Sequence, residues 1–187
     1  MNRQKLEDIK LKFLTPQELK TLWKKNKYTK NRSPPEVVLY ESVIKAPSIE
    51  ALFGRNNGII IFYPMKQEGN STYGHYVSLI RNNKDHTIYF YDSYGEKPDV
   101  GQKKYADRNL YNEENNSLIR HLINSGYNVD FSQYPHQADP PISTCGRWAL
   151  MRNRYSDLTN DQFNQLVKAL QKKYKLKADD VPSLMFN

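Results

Sequence analysis

Two short runs of aromatic and β-branched residues, joined by a polar link, constrain the fold of this chain more than any other segment. The first run is HYVSLI at 75–80, and the second is TIYFYDS at 87–93. These residue types favour extended strands, and a short polar link favours antiparallel pairing. We therefore expect a hairpin that brings His75, at the start of one strand, beside Asp92, at the end of the other.

Capping and periodicity signals predict further elements on both sides of this hairpin. Thr15 and Thr159 are each followed three residues later by Glu or Gln, which predicts a capped helix after each threonine. Apolar residues at helical spacing predict another helix over 113–125. The β-branched run at 58–65 predicts a buried strand, and a further strand is expected at 128–134.

The sole cysteine, Cys145, lies where a polar loop gives way to an apolar-periodic run that predicts a helix over 145–155. A thiol at a helix N-terminus faces unpaired N–H groups and the positive end of the helix dipole, and both favour the nucleophilic thiolate. With His75, Asp92 and Gln137 upstream, the chain has a candidate nucleophile, base, orienting carboxylate and oxyanion donor. The competing interpretation is a small buried core residue, the commoner role of a lone cysteine.

The rest of the cysteine helix carries residues with more ordinary expected roles. Gly146 has no side chain and would let a substrate backbone approach closely. Arg147 is expected to pair with a carboxylate of the body or to contact substrate. Trp148, Leu150 and Met151 are expected in the core.

Length and composition limit the classes of protein to which this chain can belong. At 22.0 kDa we expect a single domain over 1–187, with a sizeable core. A single cysteine excludes an internal disulfide and fits a reducing intracellular setting. Because there is no long apolar run and no signal-peptide core, we expect neither secretion nor a membrane span. Four scattered histidines and one cysteine give no metal-binding spacing, so no metal site is expected.

The positive charge is concentrated at the N-terminus. Residues 1–35 hold ten Lys and Arg against three acidic residues, a net charge of +7, while the whole chain carries +8. We interpret this segment as a basic helical arm, which could be a solvated surface or could bind phosphates by releasing counterions. The candidate DNA-binding residues are Lys20, Lys24, Lys25, Lys27, Lys30 and Arg32.

Three segments resemble the sequence boxes of a known superfamily. GHYVSLI, YFYDSYG and QADPPISTCGRWAL resemble the His, Asp and Gln…Cys-Gly boxes of the adenovirus-protease and SUMO-protease superfamily of cysteine proteases. The TCGR form and the small size are most similar to capsid-maturation proteases of virophages, Polinton-like elements and other double-stranded DNA viruses. The resemblance implies an α/β (α+β) fold related to papain by circular permutation, with a central mixed or antiparallel sheet flanked by helices.

The resemblance also implies peptide-bond hydrolysis and a role for each matching residue. His75 would be the general base, Asp92 its orienting partner and Cys145 the nucleophile. Gln137 would be an oxyanion donor beside the Cys145 backbone N–H. Gln133 is an alternative for this last role, but it lies in the expected strand, whereas Gln137 lies in the loop that must wrap the site.

Several functions remain open from the sequence. The leading expectation is a monomeric endopeptidase of the virion and host cytoplasm that cleaves capsid or virion precursor proteins during maturation. It would need no cofactor, although DNA could act as an activating or localising polyanion. The alternatives are a protease for ubiquitin-like modifiers, an acetyltransferase effector with the same triad, and a non-enzymatic nucleic-acid-binding virion protein. The complete His, Asp, Gln and Cys set argues against the last.

Overall fold

A five-stranded mixed sheet forms the centre of the fold in a computed structural model that describes residues 2–69, 71–107, 116–138 and 142–187. The strands lie in chain order across the sheet, and the two outer pairs are parallel while the inner pairs are antiparallel. The strands are β1 (Glu36–Leu39), β2 (Gly58–Glu68), β3 (Ser71–Asn82), β4 (Thr87–Tyr91) and β5 (Asn128–Phe131).

Helices cover both faces of this sheet, and two of them begin at the predicted capping boxes. The Thr15 and Thr159 side chains accept the backbone N–H three residues on, and Glu18 and Gln162 bond back to the cap residues. The helices of the described ranges are α1 (Arg3–Leu11), α2 (Pro16–Lys25), α3 (Tyr40–Lys45), α4 (Ile49–Phe53), α5 (Val100–Tyr105), α6 (Ser117–Asn124), α7 (Cys145–Arg154), α8 (Asn160–Tyr174) and α9 (Asp180–Met185).

The predicted hairpin is confirmed, although β3 is longer than the strand expected at 75–80 and β4 is shorter than the strand expected at 87–93. β3 and β4 pair antiparallel from Ser78 opposite Tyr91 to Asn82 opposite Thr87, so the turn contains only residues 83–86. β3 continues through the polar residues Arg81 and Asn82, and Arg81 donates to backbone carbonyls and lies 5.0 Å from the Phe53 ring centroid. The hairpin therefore places Asp92 directly after β4 and His75 on the adjacent strand.

Alternating side chains of the strands supply two separate hydrophobic clusters, one on each face of the sheet. Tyr76 packs with Cys145 and Trp148 on the face covered by α7, whereas its neighbour Val77 belongs to the opposite cluster. This alternation is the two-residue period of a strand buried on both faces. The arrangement confirms the α+β class, with the cysteine helix packed on the sheet that carries the histidine.

Three sequence predictions differ from the structure in their limits. The strand expected at 58–65 extends to Glu68, and the strand expected at 128–134 ends at Phe131. The helix expected over 113–125 begins at Ser117 within the described residues, and 113–115 lie outside them. None of the described helices combines the length and apolar character needed to cross a bilayer.

The basic N-terminal segment lies against the body of the protein. Leu19 and Trp23 of α2 are buried in the cluster that contains α7, and the Trp23 ring stacks on Phe186 with centroids 6.3 Å apart. The Trp23 indole N–H also donates to the Arg32 carbonyl oxygen at 3.0 Å. The helix therefore contributes one face to the core and presents its lysines on the other.

Candidate active site

The structure brings His75 and Asp92 into direct contact. His75 Nε2 lies 2.7 Å from Asp92 Oδ1, and both side chains are buried. The same Oδ1 accepts the Tyr94 backbone N–H at 2.8 Å, which holds the carboxylate in place after β4. A carboxylate in this position fixes the orientation of the imidazole and stabilises its protonated form.

The charge state of His75 follows from its burial and its two partners. Burial lowers the His75 pKa, but the charge and hydrogen bond of Asp92, together with the interaction with Cys145, outweigh it and raise the pKa to about 10. These interactions favour the imidazolium form of the ring. Because Nε2 faces Asp92, Nδ1 is the ring nitrogen left for the Cys145 thiol.

Cys145 is the first residue of α7 and is buried beside these groups. The N-cap residue, Thr144, makes no side-chain capping bond, since its hydroxyl donates to Asp179 instead. The first turn of α7 also contains no acidic residue. No acidic residue of α7 itself therefore offsets the positive end of the helix dipole at Cys145.

The two candidate oxyanion donors, Gln137 and Gln133, differ in burial and in their contacts. Gln137 is buried, and its Nε2 donates to the Ile142 carbonyl oxygen at 2.9 Å and to the Tyr94 hydroxyl at 3.0 Å. Its Oε1 accepts the Ser93 hydroxyl at 2.9 Å. Gln133, in contrast, is exposed. Gln137 is therefore the glutamine held between the segment that follows Asp92 and the segment that precedes Cys145.

Asp179 is a residue of this region that the sequence analysis missed. Its buried carboxylate accepts the Thr144 hydroxyl, the Trp148 indole N–H at 2.9 Å and the Ala138 backbone N–H at 2.9 Å. It thus ties the start of the cysteine helix to the residue after Gln137. No local pattern marks Asp179, because all three partners lie at least 31 positions away in the chain.

Tyr94 is the second residue that sequence reasoning missed. Its ring stacks on the His75 imidazole with centroids 4.8 Å apart and an interplanar angle of 24°. Only its place two positions after Asp92 could have drawn attention to it. Within the described ranges, no group of three or more His, Cys, Asp or Glu side chains is arranged to hold a metal ion.

The other residues of the cysteine helix have internal partners. Arg147 is buried and donates to the carbonyl oxygens of Phe186 and Lys12 at 3.1 and 3.2 Å, so within the described residues the expected carboxylate pairing was wrong. A Cβ at Gly146 would come within 2.9 Å of the Leu19 side chain, which explains the glycine by helix packing. Trp148, Leu150 and Met151 are fully buried, as predicted.

The candidate DNA-binding residues lie on α2 and in the segment that follows it. All six side chains are exposed: Lys20, Lys24, Lys25, Lys27, Lys30 and Arg32. Lys25 and Lys27 border a groove of about 670 Å³ together with Tyr28 and Arg154. The centroid of the Tyr28 ring lies 4.6 Å from Lys27 Nζ and 4.3 Å from Arg154 Cζ. No carboxylate side chain lines the described part of this groove.

Comparison with known proteins finds one curated relative and several solved structures. No protein-family model matches the chain. It is 27% identical over 154 residues to "Uncharacterized protein V9" of Sputnik virophage, which covers 80% of this chain and 85% of that protein. A structure of the SUMO protease Ulp1, its catalytic cysteine oxidised to a sulfonic acid, aligns with a TM-score of 0.45 at 16% identity, over 100% of this chain and 83% of that one. The sulfenic acid form aligns with a TM-score of 0.41 at 14% identity, over 98% and 84% of the two chains.

Proposed function

We propose that this protein is a cysteine endopeptidase. The observation that carries the proposal is the buried pair of His75 and Asp92, 2.7 Å apart, beside the cysteine that begins α7. A histidine held protonated by a carboxylate next to a thiol at a helix N-terminus supports a thiolate–imidazolium pair. The order of the His, Asp, Gln and Cys boxes along the chain supports the same assignment.

The proposed reaction is acyl transfer from a peptide to Cys145 and then to water. Sγ bonds to the scissile carbonyl carbon while the electron pair of the C=O double bond moves to oxygen, which the Cys145 N–H and Gln137 stabilise. The C–N bond then breaks, and the amine leaves with the proton of the His75 imidazolium. Water attacks the thioester and returns a proton to His75, and the Sγ–C bond breaks to release the acid and the thiolate.

We further propose that the substrates are capsid or virion precursor proteins. The similarity to a Sputnik virophage protein over most of both chains supports a viral setting. The enzyme would act as a monomer, without a required cofactor, in the particle and the host cytoplasm. Co-expression with the structural proteins of the same particle, followed by sequencing of new N-termini, tests this substrate class. If the enzyme cleaves other peptides but leaves these structural proteins intact, the proposed substrate class is contradicted.

Gln137 provides a separate test of the proposed oxyanion site. Loss of one such donor typically lowers turnover about 10²- to 10³-fold, so Gln137→Ala is expected to lower kcat by that factor. The matched control is Gln133→Ala, the same change at an exposed glutamine four positions earlier. Peptide hydrolysis by both variants is the measurement. A loss in the Gln133 variant alone would reassign the donor.

The second activity that we propose is weak, sequence-independent DNA binding by the exposed cations of α2 and its following turn. Six exposed cations lie within 13 residues, and two of them, Lys25 and Lys27, border a groove whose described lining has no carboxylate side chain, which favours contact with phosphates. Such binding would localise the enzyme or activate it near a packaged genome. Trp23 takes no part in it, because its ring is buried in the core.

Charge reversal of this patch is expected to weaken DNA binding and to make the remaining binding depend less on salt concentration. Changing Lys24, Lys25 and Lys27 to Glu should raise the Kd for a labelled duplex at least about tenfold at low salt and reduce the log–log salt slope by about three. The matched control reverses three exposed lysines elsewhere, namely Lys45, Lys84 and Lys97. Fluorescence anisotropy measures both. Equal weakening by the two triple variants would indicate general charge rather than a site.

A further inference from the structure

Tyr94 contacts three of the four proposed catalytic residues through three different groups. Its ring stacks on the His75 imidazole at 4.8 Å, and its backbone N–H donates to Asp92 Oδ1 at 2.8 Å. Its hydroxyl oxygen accepts the Gln137 Nε2–H at 3.0 Å. The proposed mechanism assigns this half-buried residue no role.

The turn after β4 holds Tyr94 in this position. The Asp92 carbonyl accepts the Gly95 N–H at 3.0 Å, which closes a tight turn around Tyr94. Gly95 adopts a φ of +73°, a conformation that glycine takes without strain. A Cβ at Gly95 would lie 3.1 Å from the Pro135 nitrogen, so the turn packs closely against the loop that carries Gln137.

The contacts of Gln137 show what the hydroxyl does. Its Oε1 accepts the Ser93 hydroxyl, and its Nε2 donates to the Ile142 carbonyl and to Tyr94. The Ser93 hydroxyl holds Oε1 and the Ile142 carbonyl holds one Nε2–H, so the Tyr94 oxygen is the partner that holds the second Nε2–H. A substrate oxyanion would share that N–H with the Tyr94 oxygen, so the Tyr94 contact orients the donor before the oxyanion forms.

We propose that Tyr94 is a positioning residue of this site, which holds the Gln137 carboxamide in the donor orientation and its ring against His75. This inference rests on the proposed peptidase activity. The hydroxyl acts through Gln137, whereas the ring acts through the imidazole. The two contributions can therefore be separated, since Tyr94→Phe removes the first and keeps the second.

A double-mutant cycle between Tyr94 and Gln137 tests the inference. Tyr94→Phe is expected to lower kcat about five- to tenfold, the effect of losing one neutral hydrogen bond, with KM unchanged. In the Gln137→Ala background the same change is expected to have no further effect on kcat, because the group that it positions is absent. Alkylation of Cys145 by iodoacetamide, which needs no oxyanion donor, should keep its rate in Tyr94→Phe.

A control at another tyrosine separates this effect from the loss of any tyrosine hydroxyl. Tyr89→Phe removes another tyrosine hydroxyl, bonded to Asp85 at the far end of the hairpin, and is expected to leave kcat unchanged. An unchanged or raised kcat in Tyr94→Phe, or the same fold loss with and without Gln137, would overturn the positioning role alone. Absence of peptide hydrolysis by the wild-type enzyme would instead overturn the proposed function, and the positioning role with it.

Discussion

Cys145→Ala is expected to lower the rate of substrate cleavage about 10⁶-fold, the scale of loss seen when a catalytic nucleophile is removed. No other thiol can replace it, because Cys145 is the only cysteine of the chain. The fold should persist, since alanine keeps the backbone of α7 and removes a single sulfur atom. The measurement is the rate at which new N-termini form in a protein that the wild-type enzyme cleaves, with thermal melting as the check on folding.

Cys145→Ser is the informative companion to this variant. Serine keeps a hydrogen-bonding group beside His75 but is a much weaker nucleophile, so it should also be inactive while remaining folded. The single cysteine adds a direct readout, because a thiol-directed activity probe can label only this position. Cleavage by Cys145→Ala at the wild-type rate would refute the peptidase assignment at once, whatever the contacts of the other residues.

The predictions that succeeded rest on interactions between residues close in sequence. The capping boxes at Thr15 and Thr159 need only contacts over three residues, so the residue types alone reveal them. The pairing of His75 with Asp92 spans 17 positions but follows from a hairpin, whose strands must run side by side. Local pattern was therefore sufficient for these two helices and for the contact between His75 and Asp92.

The misses involve contacts that only the packed fold creates. Arg147 donates to carbonyl oxygens of Lys12 and Phe186, near opposite ends of the chain, and a backbone acceptor leaves no mark in the residue types. Asp179 reaches the cysteine helix because α9 packs against α7, a long-range event without periodicity of its own. The same holds for Tyr94, whose stacking on His75 depends on the turn after β4.

Asp92→Asn is the prediction with the second largest effect, a fall in kcat of about 10⁴. The amide can still accept the Tyr94 N–H through Oδ1, so the turn and the fold should persist. The substitution removes the negative charge that stabilises the imidazolium. The loss should be smaller than for Cys145→Ala, because the nucleophile and base both remain. The matched control is Asp157→Asn, the same change at an exposed carboxylate, which should leave kcat unchanged.

The pH profile separates this electrostatic role from a merely structural one. Proton loss from His75 ends activity as the pH rises, so the alkaline limb of kcat/KM in the wild-type enzyme should lie near the raised His75 pKa of about 10. Asp92 provides the main terms that raise this pKa against burial, so its neutralisation must lower it. In Asp92→Asn the alkaline limb should therefore move to lower pH, while Asp157→Asn keeps the wild-type profile. A wild-type kcat with an unmoved alkaline limb would remove Asp92 from the mechanism and leave its contact with His75 as structural.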